Sequence, residues 1–482
     1  MSLQRTVAGG MVWSVLDRGG KYALTFAVVL ILARILPPQD FGLVALAAVF
    51  IEFAQIILNQ GITFAIVQRK ELTSEHLDSA FSMYLSLGVV LMAAGAILAD
   101  PIASILKEPQ LRSVIRWLSL IFLFSAPGLV FEAKLKRRFE FKALAICVLF
   151  AEGIAGTLAI VLALLGCGVW SLVVRQLLVS LVTSILLWSR SDWHPSWRFS
   201  WRSYRDLMKY GLHLQGIMLL RFFQQRTDIF LIGTFLGPLA LGYYAVARRI
   251  LQAISTFLLE TVAQVAWPAL SRLQVDPERL RQAFDSANRM ICLLACPAFF
   301  GVFALSPELV VSILGEQWIP GIPLVRAFAL YGISQAVLYV TMIAVSAVGK
   351  VGWRLYLESV STVISVLVVA AALSEGLVAV GWAYVGAAFA VIPLYLNLAR
   401  RILPISVATY LLGIAPSLGI SVLMAGLLLV FKHLFAPLMG AWLSLALSVV
   451  LGALIYFSFM SWIAPAVLRE ARGYLRLALS KA

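Results

Sequence analysis

Read from one end to the other, the chain alternates long apolar runs with short clusters of charge, proline and glycine. Runs such as 154–174 and 441–457 contain no charged residue. A helix needs about 20 residues to cross a hydrocarbon core of about 30 Å. Cutting the pattern at its polar clusters yields spans near 11–35, 41–67, 80–99, 113–133, 144–166, 168–189 and 211–235. They continue near 240–266, 289–313, 323–348, 355–374, 377–398, 408–430 and 438–464. Short segments of strict alternation, the mark of a membrane barrel, are missing from this pattern. The pattern therefore predicts an all-α polytopic membrane protein with about fourteen transmembrane helices. Two amphipathic pieces stand apart from the spans. Asp276-Pro277-Glu278 reads as an N-cap opening a short polar-side helix. Val467–Leu479 reads as a basic helix lying on the membrane surface.

Composition agrees and removes whole classes of function. Of 482 residues, 62% are hydrophobic and 13% charged, against about 45–50% and about 25% in soluble domains. No interval between spans is long enough for a soluble catalytic domain, so no enzyme activity is expected. The net charge of +15 is sorted by position. With both termini placed in the cytoplasm, the cytoplasmic segments hold 25 of the 38 Lys and Arg. The opposite loops hold only Lys107, Arg112 and Lys432. That asymmetry orients the chain by the positive-inside rule and calls for no nucleic-acid partner. The first run lacks a cleavage pattern and reads as a retained span. The four cysteines and four histidines are scattered through or beside apolar runs, so no metal and no cofactor are expected.

A shift of 200 residues lays Leu36-Pro-Pro-Gln-Asp-Phe-Gly-Leu-Val-Ala-Leu-Ala47 over Leu236-Gly-Pro-Leu-Ala-Leu-Gly-Tyr-Tyr-Ala-Val-Ala247. Leu36/Leu236, Pro38/Pro238, Gly42/Gly242, Ala45/Ala245 and Ala47/Ala247 coincide. Six spans separate the copies, so both insert the same way up, as a parallel repeat. The organisation predicted is two pseudo-symmetric six-helix lobes around a central cavity. The first lobe covers 1–205 and the second 206–402, with two further helices and a basic tail in 403–482.

The segments ARILPPQDFGLVALAAVF (33–50), IVQRKELTSEHLDSAF (66–81), RRFEFKALA (137–145) and GCGVWSLVVRQL (166–177) are distinctive as a set. So are RTDIFLIGTFLGPLALGYYAVA (226–247), PALSRLQVDPERLRQAF (268–284) and LSPELVVSILGEQW (305–318). Together they resemble the Wzx-type polysaccharide transporters of the multidrug/oligosaccharidyl-lipid/polysaccharide exporter superfamily. The resemblance implies two bundles that open alternately to either side of a bacterial inner membrane. The cargo it implies is an oligosaccharide repeat unit on a polyprenyl diphosphate, moved to the periplasmic leaflet. Membrane lipids, and polysaccharide polymerase or export proteins, would be its partners. A multidrug antiporter, a peptidoglycan-precursor flippase or a membrane-embedded polymerase would be the alternatives.

Ionisable groups inside spans cost about 2.5–3.5 kcal/mol each, so they line cavities or pair. Ten cations lie within spans and six carboxylates lie well inside them, a surplus suited to an anionic cargo. Arg18, Lys21, Arg221, Arg226, Arg248 and Arg249 are the candidate diphosphate ligands. Arginine's planar fork can donate two hydrogen bonds to a phosphate. Asp17, Glu52, Gln55, Asn59, Gln225, Asp228 and Gln252 form the candidate polar lining, with Asp17, Glu52 and Asp228 able to couple an ion. Arg34, Arg116 and Arg326 lie near span ends and are expected to snorkel. Arg175 is placed to pair with Glu152. Tyr331 and Tyr339 can stack on sugars or pack between helices, and Gly233 and Gly237 form a GxxxG packing motif.

Overall fold

The computed structural model describes residues 20–479 apart from 22, 60, 70, 197, 404–405 and 436–438. Among them there is no strand. The chain divides into two compact units, Met1–Ala245 and Val246–Ala482.

Unit 1 contains α1 (Ala23–Ile35), α2 (Pro38–Asn59), α3 (Ile62–Gln68), α4 (Ser74–Ile105), α5 (Pro109–Leu118) and α6 (Leu120–Arg137). It continues with α7 (Phe141–Leu164), α8 (Val169–Ser189) and most of α9 (Trp201–Ser255). Lipid is as apolar as leucine, so helices associate through close packing rather than through escape from water. α7 shows the consequence: Ala151, Ala155, Ala159 and Ala163 form a buried stripe, while Ile154, Leu158, Val161 and Leu164 face outward. Small residues let neighbouring backbones approach, and large ones meet the lipid.

The repeat identified in the sequence becomes a reciprocal contact. α2 begins at Pro38, and α9 resumes at Pro238 after Gly237, whose φ of 81° interrupts the helix. A Cβ on Gly42 would overlap the carbonyl oxygen of Pro238, and one on Gly242 would overlap that of Pro38. Each copy thus supplies the same glycine and the same proline to the other, the signature of a two-fold relation. From there α2 runs antiparallel to α9. Leu46 lies against Gly233, Phe50 against Phe230 and Phe53 against Phe222. The amide of Gln215 reaches the carbonyl of Ile56 at 3.0 Å. In the GxxxG pair only Gly233 is packed; nothing lies near Gly237, whose role is the turn.

Unit 2 contains α10 (Thr261–Arg272), α11 (Pro277–Leu309), α12 (Ile322–Ala347), α13 (Val351–Ala372) and α14 (Leu377–Ile402). α15 (Val407–Phe435), α16 (Ala441–Ile463) and α17 (Pro465–Leu479) complete it. α12 lies deepest, packed against α11 and α14. Leu293, Ile420, Met424, Tyr456, Met460 and Val467 close a core that includes the tail helix.

Two expectations are corrected and one is left open. Twelve described helices are long and apolar enough to cross a membrane, which leaves the expected count of about fourteen unconfirmed. The difference arises because only Ala23–Ile35 of the first span is described as a helix, and Met218–Arg272 counts once across the break at Gly237. Asp276 does cap a helix, accepting from the Arg279 amide at 3.1 Å. That helix is not short, however; it continues to Leu309 through Pro297 and Pro307. Finally, Lys432 is no loop cation. It ends α15 in a buried pair with Glu308 at 2.6 Å and donates to the Ala304 carbonyl at 2.8 Å.

Candidate functional site

The in-span charges of unit 1 fall into three states. Arg175 and Glu152 neutralise each other at 2.7 Å, with side chains only 10% and 6% exposed. Neighbouring α7 and α8 bring them together, as their positions predicted. Arg226 on α9 grips Glu52 on α2 through two bonds, Nε to Oε2 at 2.5 Å and Nη2 to Oε1 at 2.8 Å. This pair is about one third exposed, so water or a ligand can reach it. Asp228 is buried; its Oδ2 accepts from the Tyr244 hydroxyl at 2.5 Å and its Oδ1 from the Ile229 amide at 2.8 Å.

Lys21 and Arg221 are the third state. Both are exposed, and neither has an ion-pair partner among the described residues. The 200-residue shift relates them. An exposed cation on an apolar helix keeps its full charge available to an anion, whereas Arg226 must first leave Glu52. Gln225 is exposed and Gln55 and Asn59 are half-buried. The Tyr84 hydroxyl, 3.2 Å from the Thr63 hydroxyl, reaches the Asn59 carbonyl at 3.1 Å. Asp17 and Arg18 lie outside the described residues. In unit 2, Arg248 is half-buried and Arg249 and Gln252 are exposed.

A second group of charges was not anticipated from the sequence. Arg137 donates to the carbonyls of Ile66, at 2.9 Å, and of Arg69, closing the end of α3. Asp78 accepts from the Ser196 amide at 3.1 Å and from its hydroxyl. The hydroxyl of Ser79 accepts from the Ser200 amide at 2.9 Å. Arg138 and Lys134 both hold Asp192, at 2.8 Å and 3.4 Å. The hydrogen bond from Arg138 holds the Asp192 carboxyl down at about 2. These residues come from the distinctive segments 66–81 and 137–145 and tie them to the 191–200 linker. They build the end of the unit. Arg116 does not simply snorkel either: it and Arg112 both bind Asp100 at 2.6 Å. Arg326 donates to the Ser306 hydroxyl at 3.1 Å. No cluster of three or more His, Cys, Asp or Glu able to hold a metal occurs among the described residues.

Residues 31–323 match the family described as polysaccharide biosynthesis protein. The chain belongs to that family. Relatives in it include the succinoglycan biosynthesis transport protein ExoT of Rhizobium meliloti, 29% identical over 326 residues. That match covers 68% of this chain and 66%, just under two thirds, of ExoT. The lipopolysaccharide biosynthesis protein WzxC of Escherichia coli is 26% identical over 343 residues, covering 70% of this chain and 69% of WzxC. Among solved structures, the lipid II flippase MurJ in an inward closed conformation superposes with a TM-score of 0.71 at 14% identity. It covers 95% of this chain and 100% of MurJ, so this family member shares the flippase's fold. It is a multi-pass membrane protein related to polysaccharide biosynthesis transport proteins.

Proposed function

We propose that this family member flips a polyprenyl-diphosphate-linked oligosaccharide from the cytoplasmic to the outer leaflet of a bacterial inner membrane by alternating access. The observation carrying this reading is the pair of exposed helical cations, Lys21 just before α1 and Arg221 on α9, without carboxylate partners among the described residues. A diphosphate is the headgroup chemistry that repays their presence in a membrane. Arg226 is paired with Glu52. An outward-moving anion gains about 2.3 kcal/mol per charge per 100 mV of an inside-negative potential. The potential can thus drive the step without a coupled ion. A cavity of about 320 Å³ in unit 2, lined by Leu293, Pro297, Met424, Leu445 and Phe457, has the apolar character of an isoprenoid tail. Glu52 and Glu152 are neutralised by arginines, which leaves less acidic charge for a cationic cargo.

The test is complementation of a strain lacking the gene. Lys21→Gln/Arg221→Gln, matched for expression, is expected to lower polysaccharide export at least tenfold and to accumulate the lipid-linked precursor inside. Export at the wild-type level would refute the assignment.

A further inference from the structure

Unit 2 carries a second polar face made of residues that the cation site does not use. α12 is buried around most of its circumference, through Phe328, Gly332, Ile333, Ala336, Val337 and Val340. Tyr331, Gln335 and Tyr339 are its half-exposed polar residues in the same stretch. Spaced by four, they advance only about 40° at each step and line one face for about 12 Å. α14 adds Tyr384, whose ring meets that of Tyr331 edge-on, with centroids 5.9 Å apart. The Ser255 hydroxyl lies 3.3 Å from the Gln335 side-chain oxygen. On α13, Glu358 is held by Arg354 at 2.7 Å, and Arg354 also donates to the Ser346 hydroxyl at 3.2 Å.

Half-exposed amide and hydroxyl groups in apolar helices are costly against lipid and belong on a wetted path. Beyond the Arg354–Glu358 pair, the charge that reaches the face is a carboxylate, Glu260, which acts on Tyr339. The face therefore does not suit a phosphate. Tyrosine rings present flat apolar surfaces with a polar edge, and glutamine and serine both donate and accept. That combination matches a pyranose, whose C–H faces pack on rings while its hydroxyls take hydrogen bonds. We propose that Tyr331, Gln335 and Tyr339, with Tyr384, form an oligosaccharide-reading face that sets which repeat unit is carried. This inference rests on the flippase reading and assigns the sugar to residues different from those assigned the diphosphate.

The test measures binding to the full-length protein in nanodiscs with two probes. One is a polyprenyl diphosphate without sugar. The other is the same lipid bearing the host's own oligosaccharide, extracted from cells lacking the protein. The wild type is expected to bind the sugar-bearing lipid at least tenfold more tightly. Tyr331→Leu and Gln335→Leu should abolish that preference and leave binding of the bare lipid unchanged, while Tyr331→Phe keeps it. Lys21→Gln should weaken both lipids alike. Should a leucine variant fail to fold, Tyr339→Phe is read in its place for a partial loss of the preference. A preference that survives the substitutions, an equal loss for both lipids, or a wild type without preference overturns the sugar face. A wild type that binds neither lipid overturns the flippase reading as well.

Discussion

At the scale of single residues, what a charge can do depends on whether another charge has already claimed it. Glu152 and Arg175 are nearly inaccessible and hold each other, and Arg175 Nε is buried without a further partner. Removing one member leaves an uncompensated charge in a medium that cannot solvate it. Glu152→Gln should therefore cost about 3–5 kcal/mol of stability, and Glu152→Leu/Arg175→Met should restore most of it. Thermal unfolding in detergent reads both variants; a single variant as stable as wild type would contradict the pairing argument. Lys21 and Arg221 differ from this pair in being exposed and in having no such neighbour among the described residues. Sequence position located all four. Which of them were neutralised was a matter of distance across helices, and for Glu308 with Lys432, 124 positions apart in the chain, no local pattern announced it.

At the scale of elements, the repeat proved to be a packing device. Gly42 and Gly242 sit where two helix beginnings cross with backbone against backbone, and each site admits no Cβ. Gly42→Ala and Gly242→Ala should each destabilise by about 1–3 kcal/mol, as overpacking does. Because the contact is reciprocal, the two losses should be similar; melting curves of the purified variants would show it. A neutral Gly242→Ala would break the two-fold account. The helices themselves were legible in the apolar runs. The expected span 168–189 is α8 at Val169–Ser189, and 144–166 is α7 at Phe141–Leu164. The limits failed after Pro277, where the helix runs on to Leu309 although Pro297 and Pro307 lie within it.

At the scale of the whole molecule, ion pairs at the basic ends tie distant segments together, and their response to pH follows from their shifts. Asp192 is held down by Arg138. At Glu470 on α17, burial pushes the carboxyl up, but hydrogen bonds from Arg289 and Ser286 outweigh it and leave it below its ordinary value. A carboxylate depressed on folding contributes its full stability above its unfolded value, about 4, and loses it as pH falls through the folded value. Melting temperatures of the wild type, Asp192→Asn and Glu470→Gln should accordingly differ by a constant amount above about pH 5 and converge in stronger acid. A difference that closes near neutrality would contradict these ties. Glu470 also ties the tail helix to α11. It bonds Ser286 and Arg289, at 3.1 Å to the latter, while Val467 is buried.

The sequence by itself determined the class of protein, the places of most helices, the repeat and the surplus of cations inside the spans. Those properties depend on composition and on intervals of 3.6 to 20 residues, which local hydrogen bonding and the bilayer thickness impose. Only the tertiary structure decided which cations are spent on carboxylates and which remain exposed, and that the repeated glycines meet each other. It also decided that α12 keeps Tyr331, Gln335 and Tyr339 accessible. These outcomes depend on distances between residues far apart in the chain. In a membrane, where burial from water supplies little preference among apolar faces, the fit of particular side chains sets those distances.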